Sequence, residues 1–106
     1  MCSSWAESVV HEEPNAKRYY VSGMVQGVGF RYFAERAAMH LKVMGYVRNL
    51  RDGRVEVYAI APEESLAALR RDLERGPRGA TVTSVTEEEA VVEPRFADKF
   101  SIEYDA

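Results

Sequence analysis

The sequence predicts an α+β sandwich, with two helices packed on one face of an antiparallel sheet. Three observations predict it. Short β-branched and aromatic runs flank Asp52-Gly53, a residue pair typical of hairpin turns. Apolar stripes with helical spacing stand before and after that hairpin. Further strand-like runs open and close the chain. The resulting order, β-α-β-β-α-β, is that of the split βαβ or ferredoxin-like pattern.

Each element rests on its own residues. RYYVSGMV, from Arg18 to Val25, is rich in aromatic and β-branched side chains and reads as a strand. Tyr19, Val21, Gly23 and Val25 share one face of it, while Tyr20, Ser22 and Met24 are expected on an exposed face. Phe30, Phe33, Ala34, Ala37, Ala38 and Leu41 form one stripe of an amphipathic helix, with Gly45 as its expected C-terminal cap. YVRNLRDGRVEVYAIA supplies the two strands of the hairpin. In PEESLAALRRDLERGP, Pro62 suits a helix start and Glu63 and Glu64 suit its positive end. Leu66, Leu69 and Leu73 are its buried stripe, and Gly76-Pro77 stops it. ATVTSVTEEEAVV is a fourth strand, expected to be irregular because Val82 and Val85 are three apart. FSIEY alternates and reads as a short fifth strand.

The 106 residues suffice for one domain with a core that needs no covalent staples. Residues 1–16 are polar and aperiodic and read as a flexible N-terminal tail, with Trp5, Val9 and Val10 as apolar side chains that offer docking points. Residues 17–106 read as the domain. No apolar run has membrane-spanning length, and the N-terminus has no basic and apolar signal pattern. Cys2, the only cysteine, cannot form an internal disulfide, which fits a reducing compartment. The expectation is a cytoplasmic protein with no membrane partner.

Charge is unevenly spread. The net charge is −3, yet Lys17 to Arg54 holds eight basic residues against Glu35 and Asp52. Such a basic island fits an anionic ligand; a set of solvated arginines fits it equally well.

VQGVGFRYF, residues 25–33, lies where the first strand turns into the first helix. A helix start leaves backbone N–H groups unpaired, and they favour an anion. Gly27 and Gly29 let the backbone bend and approach a ligand. Arg31 in the first helical turn is misplaced against the helix dipole unless an anion sits there. The stretch therefore reads as a phosphate cradle. From glycine spacing alone, a plain strand-to-helix turn with an exposed arginine is the stronger reading. The dinucleotide fingerprint fails at Tyr32, and no P-loop lysine pair follows. Asn49, just before the hairpin, has a neutral amide able to hold water or to satisfy backbone groups near the turn. His11, His40 and Cys2 have no metal-ligand spacing, and His40 is expected to be exposed. No nucleophile triad is present, and no cofactor or metal is expected. Arg48 and Arg51 either steer anions or are simply solvated.

The motif V-Q-G-V-G-F-R-Y-F, followed by G-Y-V-R-N-L-R-D-G-R-V-E-V, L-E-R-G-P-R-G-A-T-V-T-S-V and F-S-I-E-Y, strongly resembles the acylphosphatases. The resemblance runs from about residue 17 to 104. It implies hydrolysis of a carboxyl-phosphate anhydride to a carboxylate and inorganic phosphate, without metal or covalent phosphoenzyme. It implies that Arg31 binds phosphate, with backbone donors from Gln26, Gly27, Val28, Gly29 and Phe30, and that Asn49 orients the attacking water. The implied partners are a small acyl phosphate and inorganic phosphate, and a monomer is expected. Met24 stands where the family often has a basic residue, and YAIAPEES lacks a glycine common before the second helix. Both departures concern the entrance and that loop.

Two other readings compete. RNA-recognition modules share the β-α-β-β-α-β order, and GVGFRYF is superficially similar to their aromatic motif. That motif must lie on a central strand to stack bases, whereas here it bridges a loop and a helix, in an acidic chain. Acylphosphatase-like domains also begin larger hydrogenase-maturation carbamoyl transferases. This chain ends at Ala106, so a freestanding enzyme is expected.

Overall fold

The computed structural model describes residues 14–105; Cys2, Trp5, Val9, Val10 and His11 lie outside them. The chain runs through β1 (Asn15–Met24), α1 (Phe30–His40), β2 (Met44–Asn49), β3 (Val55–Ala61), α2 (Glu63–Arg75) and β4 (Thr81–Ala90). A 3₁₀ turn at Pro94–Phe96 and β5 (Phe100–Ile102) complete it. Asn15 and Ala16, read from sequence as the end of a tail, belong to β1, where Ala16 pairs with Ile60 and Ala90.

The strand order is β4-β1-β3-β2-β5. Neighbours are antiparallel except β5, which runs parallel to β2. The expectation of a wholly antiparallel sheet is corrected at that edge, and the register explains why. Ala90, Ala16, Ile60 and Met44 align in one row across the sheet. β4 thus ends at the end of the sheet where β2 begins. A short crossing delivers the chain to the start of β2, and it continues alongside in the same direction. There Gly45 N donates to Lys99 O and Glu103 N to Val47 O, each at 2.9 Å. The pairing covers an edge that would otherwise invite another strand.

Every residue of β3 is buried, because both sheet faces are covered. On one face Tyr19, Val21, Val47, Val55, Val57 and Val85 pack against Phe30, Ala34 and Ala38 of α1 and Leu66, Leu69 and Leu73 of α2. Full burial of each leucine is worth about 1.5–3 kcal/mol. The other face is covered by the crossing segment. Phe96 lies 4.9 Å from the Tyr46 ring and 5.8 Å from that of Tyr58, centroid to centroid. Tyr58 Oη donates to Val91 O and accepts from Glu93 N. Glu56 is buried there between the Nε atoms of Arg18 at 3.0 Å and Arg48 at 2.5 Å, as a charge out of water must be.

Local deviations have local causes. Ser22 pairs with Ser84 but Gly23 with Val82, so Thr83 is an extra residue in β4. This bulge turns both Val82 and Val85 toward the core, which accounts for their spacing of three. The cap of α1 differs from expectation. Lys42, at φ 61°, takes the left-handed position and Val43 N donates to Ala38 O at 2.8 Å. Gly45 instead lies within β2, where a Cβ would fall 1.9 Å from Tyr58 O.

Candidate active site

The site forms where β1 parts from β3. Their ladder ends at Val21 and Val55, and β1 continues beside β4 alone to Met24. Val25 is buried, and the chain then turns at Gly27 and Gly29, with φ 78° and 77°, into α1. Gly29 is the N-terminal cap in a left-handed conformation and brings no side-chain cap. Residues 26–29 form a turn, and the N–H groups from Gly27 to Arg31 make no well-formed hydrogen bond to an acceptor among the described residues. Nothing lies within 4 Å of where a Cβ would stand on either glycine. The loop therefore holds several free donors beside open space, at the positive end of a helix.

Asn49 approaches from the other side, as the last residue of β2. It is only 8 % exposed, yet its carboxamide bonds to no group among the described residues. No fully buried side-chain polar atom there lacks a partner, so the amide keeps contact with solvent. That contact is a cleft of about 80 Å³ lined by Val25, Gly27, Gly29, Phe30, Arg31, Tyr32 and Asn49. Liquid water occupies about 30 Å³ per molecule, so the cleft has room for one small tetrahedral anion or a few waters. The alternative role for Asn49, bonding backbone near the turn, finds no hydrogen bond to support it.

Arg31 is partly exposed, and its Nη1 lies 3.2 Å from Asp105 Oδ1. It also lines a wider open depression with Ile102, Glu103, Tyr104 and Asp105. Motif spacing did not reveal Asp105, which is 74 residues away in sequence. Tyr32 was legible only as the residue that breaks the dinucleotide pattern.

Two residues named from the motif, Gln26 and Val28, do not line the cleft. Val28 packs against the core. The Gln26 carboxamide donates to Leu50 O at 2.7 Å and Arg54 O at 2.9 Å. Phe30 lines the cleft but is 1 % exposed as a residue, its ring tilted against that of Phe33 at 5.7 Å between centroids. With Tyr46 and Tyr58 also buried and Tyr32 the exposed aromatic of the motif on α1 rather than on a strand, the central strands lack the row of free aromatic faces that base stacking requires.

The basic island is largely neutralised by pairing. Lys17 lies 2.9 Å from Glu87 and 3.5 Å from Glu63; Arg18 and Arg48 share Glu56; Arg54 pairs with Asp52. Arg48 is thus committed to Glu56, while Arg51 and His40 are exposed. Around Lys17, hydrogen bonds from its ammonium and from Arg70 hold the Glu87 carboxyl below its ordinary value. Burial pushes the Tyr19 hydroxyl up to about 12, where it donates to Leu66 O at 3.2 Å. Among the described residues, no group of three or more His, Cys, Asp or Glu side chains is placed to hold a metal. No helix among them is long and apolar enough to cross a membrane.

Fold and site together define a small α+β sandwich domain built around an anion-sized cleft at a strand-to-helix junction. The acylphosphatase family profile matches residues 17–102. An acylphosphatase from Solibacter usitatus is 54% identical over 77 residues, covering 73% of this chain and 80% of that one. One from Pasteurella multocida is 49% identical over 88 residues, covering 83% of this chain and 97% of the other. The crystal structure of acylphosphatase from Bacillus subtilis superposes with a TM-score of 0.79 at 38% identity, covering 84% and 98% of the two chains. The chain belongs to the acylphosphatase family.

Proposed function

We propose that this acyl phosphate hydrolase grips the phosphoryl group with Arg31 and the backbone donors of residues 26–30, while Asn49 places the attacking water. What supports this reading is the meeting of Arg31, the glycine loop and an unbonded Asn49 amide in one small cleft.

The chemistry suits those parts. A guanidinium and several N–H donors match the equatorial oxygens of a phosphoryl group, where charge gathers in the transition state. The Asn49 amide accepts from and donates to one water and aligns it with phosphorus. The water oxygen bonds to phosphorus as the bond from phosphorus to the acyl oxygen breaks, and the electron pair leaves with the carboxylate. Both water protons stay with the product, so a dianionic acyl phosphate gives a carboxylate and dihydrogen phosphate. The leaving group is good enough that a strong general base is not required.

Independence of metal, action as a monomer and a cytoplasmic location belong to the same proposal. So does the division into an N-terminal tail and a working domain, which β1 opens at Asn15. The absence of a cysteine pair supports the location. The deciding experiment is hydrolysis of benzoyl phosphate in excess EDTA by the wild type and by Arg31→Ala. Turnover that survives the chelator and is lost in the variant is expected. Loss on chelation, or full turnover without Arg31, would reject the proposed chemistry.

A further inference from the structure

Gln26 is a motif residue whose side chain is turned away from the cleft. Its Nε2 donates to two carbonyls, Leu50 O at 2.7 Å and Arg54 O at 2.9 Å. Those carbonyls form the neck of the β2–β3 hairpin, where Leu50 N donates to Arg54 O at 2.8 Å and Gly53 N to Leu50 O at 3.1 Å. Gln26 directly precedes Gly27 of the cradle, and Leu50 directly follows Asn49. One side chain therefore joins the first residue of the cradle to the neighbour of the amide.

The sheet does not make that join. The β1–β3 ladder ends at Val21 and Val55, and the β2–β3 ladder at Asn49 and Val55. Beyond that row β1 pairs only with β4. Among the described residues, the two bonds of Gln26 are the hydrogen bonds that link the loop 25–29 to the connection 50–54.

We infer that Gln26 is a positioning residue for the reaction, setting the distance between the phosphate cradle and Asn49. The inference rests on the reading that Asn49 places the water. The loop donors and Arg31 belong to one continuous segment, so their grip on phosphate survives if the segment shifts as a unit. Asn49 belongs to another segment, so the alignment of water with phosphorus does not survive. A misplacement of about 1 Å costs on the order of a hundredfold in rate.

The test is a double-mutant cycle with Asn49→Ala, read by kcat and by competitive inhibition by inorganic phosphate. Gln26→Met keeps the length of the side chain and removes both donors. It is expected to lower kcat about tenfold or more while the phosphate inhibition constant stays within about twofold. In the Asn49→Ala background the same change is expected to lower kcat by less than about twofold, because the group it positions is gone. Equal losses in both backgrounds, or phosphate binding that weakens in step with kcat, would overturn the inference. Full kcat in Asn49→Ala alone would instead remove the water-placing role and the inference with it. Gln26→Glu, equal in shape and lacking the donors, repeats the cycle if the methionine variant does not fold.

Discussion

Arg31 Nη1 and Asp105 Oδ1 stand 3.2 Å apart, so a carboxylate from the end of the chain already occupies the arginine of the cleft. Under the proposed grip of Arg31 on phosphate, an incoming phosphoryl group competes with it for the same guanidinium. Both partners are partly exposed, and such pairs are weak. Asp105→Asn is therefore expected to tighten competitive inhibition by inorganic phosphate about two- to fivefold and to leave kcat nearly unchanged. Weaker phosphate binding in the variant would mean that Asp105 orders Arg31 for the substrate.

Arg31 and Asn49 line one cleft, one charged and the other neutral, and their variants should separate binding from turnover. Arg31→Ala is expected to weaken phosphate inhibition about tenfold or more and to lower kcat as well. Asn49→Ala is expected to lower kcat about a hundredfold with phosphate inhibition within about threefold. Thermal melts of both variants would exclude unfolding as the cause.

The end of α1 yields a stability contrast. Lys42 pays for a left-handed backbone that glycine adopts freely, so Lys42→Gly should stabilise the protein by about 1 kcal/mol. Gly45 has no such latitude, because an added Cβ meets the Tyr58 carbonyl oxygen at 1.9 Å. Gly45→Ala should cost more than about 4 kcal/mol and leave little folded protein. Urea titrations of the two variants check both signs.

Glu87 ties β4 to its neighbours, accepting from Lys17 at 2.9 Å and from Arg70 at 2.7 Å. Those bonds lower its folded pKa from the ordinary 4.5. Its contribution to stability is therefore complete above that value and is lost as pH falls through the folded pKa. Melting temperature is expected to fall less steeply below pH 4.5 in Glu87→Gln than in the wild type. Parallel curves would show that the carboxylate contributes nothing across this range.

What the sequence by itself determined was local. Helix and strand identities follow from side-chain spacing, and spacing is a property of neighbours. Tyr19 and Val21 alternate, Leu66, Leu69 and Leu73 recur at helical period, and Val82 and Val85 carry the mark of their bulge. The strand-to-helix turn was legible for the same reason, since Gly27, Gly29 and Arg31 are close neighbours in one segment, while the proposed roles of Arg31 and Asn49 came from the resemblance to a family and not from spacing. Only the tertiary structure decided which distant groups meet. The pairing of β1 with β4 gives Lys17 its Glu87, and burial of Glu56 takes Arg18 and Arg48 out of the basic island. The row of Ala90, Ala16, Ile60 and Met44 makes β5 parallel. Close approach to Tyr58 removes Gly45 from the helix cap. Gln26 reaches Leu50 and Arg54, and Arg31 reaches Asp105, across chain separations that no local period encodes. Such contacts depend on how elements pack, and packing is settled by the whole core at once.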